Sequence, residues 1–215
     1  MPFYLTPTTI ALIIIAVLLI FACVPAAKSI RHALFLRRRL VLLELPRDQT
    51  KKALEGLLKI KTAFAFETAV HHLGKETHYY MAVPKAFVNS VKDKWGAYEV
   101  DEYDIYRSGG SHLGFYLKSA SPRLNIESVD FSRVNEIGEG ALMQLIVVPR
   151  GDKRLANLRV LISAPSPYQA QEIALGINSS LTEFKPAAVT RNMSEFTHLT
   201  AFREFDEDEA IIWST

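Results

Sequence analysis

Cysteine is almost missing from this chain: Cys23 is the only one in 215 residues. A lone thiol excludes disulfides within the chain and any metal site built from several thiolates. Cys23 itself reads as a small apolar residue facing lipid or a partner helix. A phosphate-cradling loop is missing as well. Such a loop needs glycines for close backbone approach, a lysine for the β- and γ-phosphates and a hydroxyl for Mg2+. Gly109 and Gly114 have the separation, but Phe115 and Tyr116 stand where the lysine and hydroxyl belong, and Gly74-Lys75 is followed by Glu76. ATP hydrolysis by this chain alone is therefore not expected, and no cofactor is implied. Charge of one sign is also lacking. The formal net charge is +2, which gives no sign of a strong nucleic-acid binder. No low-complexity tract argues for disorder.

The remaining absence is local and the most informative. No charged side chain precedes Lys28, and Ile10 to Val24 is an unbroken apolar run. About 20 such residues at 1.5 Å rise cross a hydrocarbon core of roughly 30 Å, so residues 1–27 read as a single membrane anchor. Lys28, Arg31, Arg37, Arg38 and Arg39, with His32, follow at once in the juxtamembrane segment 28–39. Cationic flanks resist translocation, so the N-terminus is expected outside and the rest of the chain in the cytoplasm, the arginines at the anionic inner leaflet. A cleaved signal would carry its charges ahead of the apolar core instead. The rival is a lipoprotein, with Leu19 to Cys23 as lipobox and the domain on the outer face. Bulky Phe21 fits it poorly, and no cationic segment precedes the run.

Beyond the anchor, periodicity predicts an alternation of strands and helices. Leu40 to Leu45 is a short apolar strand ended by Pro46. From Gln49, the apolar positions Ala53, Leu54, Leu57, Leu58, Ile60 and Phe64 recur at helical spacing. His78 to Val83 alternates as a strand. Phe87, Val88, Val91 and Trp95 share a helix face closed by Gly96, and Tyr98 to Val100 begins a third strand. A split βαβ arrangement of ferredoxin-like type is the economical solution. His112 to Lys118 adds a strand, which closes a first subdomain over 40–118. The punctuated stretch 119–140 reads as a linker.

A second α+β cycle follows over 141–215. Ala141 to Val148 is a strand buried on both faces, and Leu158, Val160 and Ile162 mark the next. Ser166-Pro167-Tyr168-Gln169 is a helix start with a capping serine, a proline at the first position and a glutamine to complete the box. His198 to Phe205 is expected to return as a strand. Ile211 to Trp213 resumes an apolar run that stops without a cap, which points to truncation. The predicted class is α+β, an α/β sandwich of one transmembrane helix and two ferredoxin-like units.

Candidate chemistry is sparse. His71-His72 lack a ligand partner at helical spacing and fit a helix C-terminus ending at Gly74. Glu99, Asp101, Glu102 and Asp104 offer carboxylates for a divalent ion, but a solvated strand face explains them more simply. Asp206 to Glu209 likewise reads as a solvated turn. Ser111 beside His112 has no orienting acid. Arg150, Lys153, Arg154 and Arg159 form a basic turn that suits a phosphate or a neighbouring subunit only weakly, since no aromatic interleaves them. No catalytic or metal site is predicted.

Several segments in order then point to a family: "LLELPRD" (Leu42 to Asp48), "HYYMAVPKAF" (His78 to Phe87), "YEVDEYDIY" (Tyr98 to Tyr106), "EGALMQLIVVPRGD" (Glu139 to Asp152) and "REFDEDEAIIWST" (Arg203 to Thr215). After a single anchor and a basic segment, they resemble the start of bacterial type IV secretion and conjugative DNA-transfer ATPases of the HerA/FtsK-like group. The resemblance implies an inner-membrane region that tethers a motor, self-associates or binds other secretion-system subunits, and contacts the DNA entering it. The motor would lie beyond Thr215, so no ATPase residue carries over. The rival is a stand-alone membrane-anchored interaction domain unrelated to DNA transfer.

Overall fold

Every neighbouring pair of strands is antiparallel in the single nine-stranded sheet of the computed structural model. The structure describes residues 40–71, 76–103, 109–120, 122, 124–189 and 192–213. The anchor predicted over 1–27 and the cations Lys28, Arg31, Arg37, Arg38 and Arg39 lie outside the described residues. Among those described, no helix is long and apolar enough to cross a membrane.

The elements in order are β1 (Leu40–Glu44), α1 (Thr50–Leu57), β2 (Phe64–Val70), β3 (Thr77–Pro84), α2 (Val88–Trp95), β4 (Tyr98–Glu99) and β5 (Ser111–Lys118). They continue with β6 (Gly140–Arg150), β7 (Lys153–Ala164), α3 (Pro167–Ser180), β8 (Lys185–Ala188), α4 (Met193–Ala201) and β9 (Ile211–Trp213). Strand order is β4-β1-β3-β2-β6-β7-β5-β8, and β9 pairs with β7. Outward from the central β2–β6 pair, each half runs second, third, first, fourth strand. The two halves mirror one another in order. In the first, β1 and β2 are joined through α1 and run the same way with β3 between them. In the second, the described residues of the link from β5 to β6 include no α-helix and carry a 3-10 turn at Ile126–Ser128. Ile126, Phe131 and Val134 of this stretch are buried in the apolar layer that the helices also fill. The predicted linker is therefore part of the core. β5, grouped by sequence with the first subdomain, pairs with β7 and β8.

Strand alternation divides the core into two layers, because successive side chains point to opposite faces. On one face Leu43, Phe66, Met81, Leu145 and Leu158 pack against Leu54 and Leu57 of α1, Val91 and Trp95 of α2, and Ile173 and Ile177 of α3. On the other, Leu42, Ala65, Ala82, Leu142 and Leu161 lie with Phe196 of α4. β2 and the first part of β6 are buried on both faces, as expected for central strands.

Local signals were accurate where they were chemical. Gly96 closes α2 at φ 65, in the left-handed region that favours glycine. Ser166 Oγ accepts from the Gln169 backbone N–H, so the predicted serine cap forms with Pro167 at the first helical position. The Gln169 Oε1 accepts from the Ser166 hydroxyl and not from its backbone N–H as a full box requires. The hairpin of β6 and β7 turns on Gly151 and Asp152, with Gly151 at φ 62.

Three expectations need correction. The helix predicted onward from Gln49 ends at Leu57, and Phe64–Val70 is a strand. Its aromatic and β-branched residues lie inside a sheet, which outweighs a helical spacing shared by chance. His71 thus follows a strand rather than ending a helix; 72–75 lie outside the described residues. His198 to Phe205 is not a returning strand: Met193–Ala201 is helix α4. Asn192 Oδ1 accepts from the Glu195 backbone N–H at 2.8 Å, a cap that fixes where α4 begins.

Candidate functional site: a polar row across the sheet

Seven strands each place one polar side chain at directly opposed positions. Tyr98 opposes Glu44, Glu44 opposes Tyr80, and Tyr80 opposes Glu67. Glu67 opposes Gln144, Gln144 opposes Arg159, and Arg159 opposes Tyr116. Opposed residues point to the same face, here the face that carries α4. Glu67, Gln144 and Arg159 are each 1 % exposed or less. Buried polar groups at this depth must be satisfied.

Most of their polar atoms are met by one another and by the end of α4, while Arg159 Nη1 has no hydrogen-bond partner among the described residues. Gln144 Nε2 donates to Glu67 Oε1 at 2.6 Å and to the Thr200 carbonyl at 3.0 Å. Arg159 Nε donates to Gln144 Oε1 at 2.6 Å, and its Nη2 to the Leu199 carbonyl at 2.7 Å. Two carbonyls of the last helical turn thus accept from sheet side chains, one of them cationic, as the negative end of the helix dipole favours.

The chain then turns through Arg203, which is the only non-glycine at positive φ among the described residues, at 55. The Arg203 N–H reaches the Thr200 carbonyl at 3.2 Å and the Glu204 N–H reaches that of Leu199 at 2.9 Å. This is a Schellman closure with arginine where glycine is usual, at a cost of roughly 1–2 kcal/mol. The side chain offsets it. Arg203 Nε and Nη2 donate to the two Glu67 oxygens at 2.8 and 3.1 Å, and Nη1 donates to both oxygens of Glu102 at 2.9 Å. Tyr103 OH adds a bond to Glu67 Oε2 at 2.7 Å.

Electrostatics follow from this packing. Burial is the strongest single influence and acts to lower the Arg203 guanidinium, but Glu67, Tyr103 and Glu102 together outweigh it and hold the group above its usual range. Burial pushes Arg159 down. Tyr103 is raised by burial and by Glu67. Tyr116 is pushed up to about 12, first by burial; its OH donates to Asp206 Oδ2 at 2.9 Å.

The Tyr116 shift predicts an alkaline weakness. A phenol raised in the folded state holds its proton longer than the unfolded chain does, so its contribution is complete below about pH 10 and is lost as pH rises to about 12. The urea midpoint of the wild type is expected to fall more steeply across that window than that of Tyr116→Phe. Equal slopes would show that Tyr116 titrates alike in both states.

At the β1 end the row opens toward solvent. His78 Nδ1 meets Glu44 Oε1 at 2.8 Å and His71 Nε2 meets Tyr80 OH at 2.8 Å. Tyr80 and Tyr103 stack with ring centroids 4.4 Å apart. These groups form a ring-stacked, hydrogen-bonded cluster.

The structure disperses most sequence candidates. Arg150 is exposed and paired with Glu207, and Lys153 and Arg154 begin β7 beside it. Arg159 leaves that basic turn altogether, since its register position buries it in the row. Glu99 pairs with Lys92 at 3.2 Å and Glu102 with Arg203, while Asp104 lies outside the described residues. The solvated turn expected at Asp206 to Glu209 is corrected in part: Asp206 is 4 % exposed, and its backbone is held by Asn157 at 2.6 and 2.8 Å. Ser111 and His112 sit adjacent on β5, and burial lowers His112. Among the described residues no group of histidine, cysteine and carboxylates could hold a metal. Sequence reasoning passed over Glu67, Gln144 and Tyr116. One signal was available: Glu67 is the lone charged residue, and Gln144 the lone polar one, within apolar runs otherwise built for burial. No protein-family model matches the chain, and no curated protein is significantly similar to it.

Proposed function

We propose that this chain is the membrane-anchoring and assembly region of a type IV secretion or conjugative DNA-transfer ATPase, non-catalytic by itself. It is built on two split βαβ units of the ferredoxin-like type, the second with an irregular segment in place of its first helix. The mirrored strand order supports the duplication. The observation that carries the functional reading is the apolar run Ile10 to Val24 with its basic flank, which joins strand β1 almost directly at Leu40. A rigid sheet beside the inner leaflet is a base on which a motor can be mounted. The ionisable groups of the buried row are engaged with one another and with α4, which suits a scaffold rather than a reaction centre.

The test has two arms. In inverted inner-membrane vesicles added protease is expected to digest the domain, while in intact spheroplasts it is expected to leave it whole. Digestion in spheroplasts would place the domain outside, as the lipoprotein reading requires. Purified in mild detergent, the full chain is expected to carry an ATPase with a glycine-rich Lys-Ser/Thr loop encoded beside it. Loss of that partner under cross-linking would leave the stand-alone interaction domain.

A further inference from the structure

The three helices that cover one face of the sheet carry opposite charge at its two ends. Over the first half, α1 and α2 enclose a groove of about 490 Å3 lined by Lys52, Lys59, Lys94, Glu55, Ile60 and Trp95. The helices approach closely because Gly56 lies against the indole: a Cβ there would stand 2.3 Å from Trp95 Cζ2. The floor is aromatic and the rim holds three lysines against one glutamate. Over the second half, beside α3, lies a depression of about 290 Å3 lined by Glu136, Glu139, Glu172, Arg133, Tyr168 and Gln169, among others. Here Glu136 and Glu172 stand at the rim beside Arg133, which pairs with Glu172, while Glu139 is buried and accepts from the Asn135 and Glu136 backbone N–H groups. Tyr168 and Leu175 on α3 are 71 % and 57 % exposed, and Ile137 next to Glu136 is 81 % exposed. Tyr168, Glu172 and Leu175 fall at helical spacing on one stripe. An exposed apolar stripe with an acidic rim thus stands roughly 20 Å, or four strand spacings, from an aromatic groove with a basic rim.

We propose that the occupant of each is the other, in a second copy of this chain: a symmetric dimer joined through the helix-covered faces. Oppositely charged patches on one face are self-complementary under a two-fold axis between them, so both junctions form at once and the assembly closes. Because the patches are separated across the strands, the axis runs along the strands. Both Leu40 ends then emerge on the same side, as anchors in one bilayer require. The proposal rests on the assembly reading above and names its partner as self.

Cysteine cross-linking in native membranes tests it, with the full chain in a Cys23→Ser background. Lys59→Cys combined with Tyr168→Cys is expected to give dimers and nothing larger under mild oxidation, and neither single variant is expected to cross-link. A ladder of larger species, a cross-link from Tyr168→Cys alone, or no cross-link would each overturn the two-fold dimer. Reversing Lys52→Glu and Lys59→Glu in a strain cross-linked through Leu175→Cys and Lys94→Cys is expected to cut the yield at least about tenfold. Adding Glu136→Lys and Glu172→Lys is expected to restore it, which also shows that the variants fold. A yield indifferent to these reversals would assign the groove to another occupant, such as an acidic segment of a different protein. Absent dimers with the ATPase still co-purifying overturn the dimer alone. Dimers without the ATPase overturn the secretion reading alone.

Discussion

Replacing Glu67 by alanine is expected to remove about 3–5 kcal/mol of folding stability, the cost of stranding a buried charge partner. Glu67 accepts from Gln144, Tyr103 and Arg203. Its loss leaves the Arg203 guanidinium without its buried counter-charge, although Glu102 still holds Nη1. Arg203 would also keep a left-handed backbone with less to stabilise it. Urea unfolding of the full chain in mild detergent, followed by the fluorescence of Trp95 and Trp213, measures the effect. Both indoles are buried, at 6 % and 5 % exposure. A decisive companion is Glu67→Leu combined with Arg203→Met. Replacing a buried ion pair by apolar groups is often close to neutral, so the double variant is expected to be clearly more stable than Glu67→Ala. If the single change costs under about 1 kcal/mol, the pair is no more than a surface-like contact.

Phe196→Ala is expected to cost about 3–5 kcal/mol, the range for deleting a fully buried aromatic side chain. Phe196 is 0 % exposed. Its ring packs edge-on to Tyr116, centroids 5.4 Å apart, and lies flat over Gly114, where an added Cβ would stand 2.4 Å from Cε1. The absence of a side chain at Gly114 is what lets α4 settle on the sheet. Gly114→Ala is therefore expected to destabilise the wild type by displacing the ring and to cost much less in a Phe196→Ala background. Such non-additivity marks direct contact. Equal costs in both backgrounds would mean that Gly114 matters for the strand and not for α4.

Both predictions concern the same joint. Helix α4 and the turn after it cover the sheet face that the other three helices leave uncovered, and they are held there by polar bonds at one end and one aromatic ring at the other. The row works in this joint as a set of caps. Gln144 and Arg159 close the carbonyl end of α4, and Glu67 holds the residue that ends it.

Much of this was legible locally. The β6 and β7 strands, the α2 stripe closed by Gly96 and the serine cap at Ser166 each arise from neighbours in sequence, where spacing and side-chain chemistry act within one or two turns. The helix read through Phe64 failed for the opposite reason. Ile60 and Phe64 extend a helical spacing by coincidence, and only the strands on either side, β3 and β6, show that Phe64–Val70 gains more by pairing. His198 to Phe205 failed likewise, because its turn is stabilised by Glu67, 136 residues from Arg203.

By itself the sequence determined the anchor signature, the apolar faces, the caps and the missing phosphate loop, since each depends on residues within reach of one another along the chain. Tertiary structure alone decided the mirrored strand order and the polar row. A row with one residue per strand has no spacing to recognise: it exists only once register has set Glu44, Tyr80, Glu67, Gln144, Arg159 and Tyr116 side by side. The same register withdrew Arg159 from a basic turn and made it a buried cap.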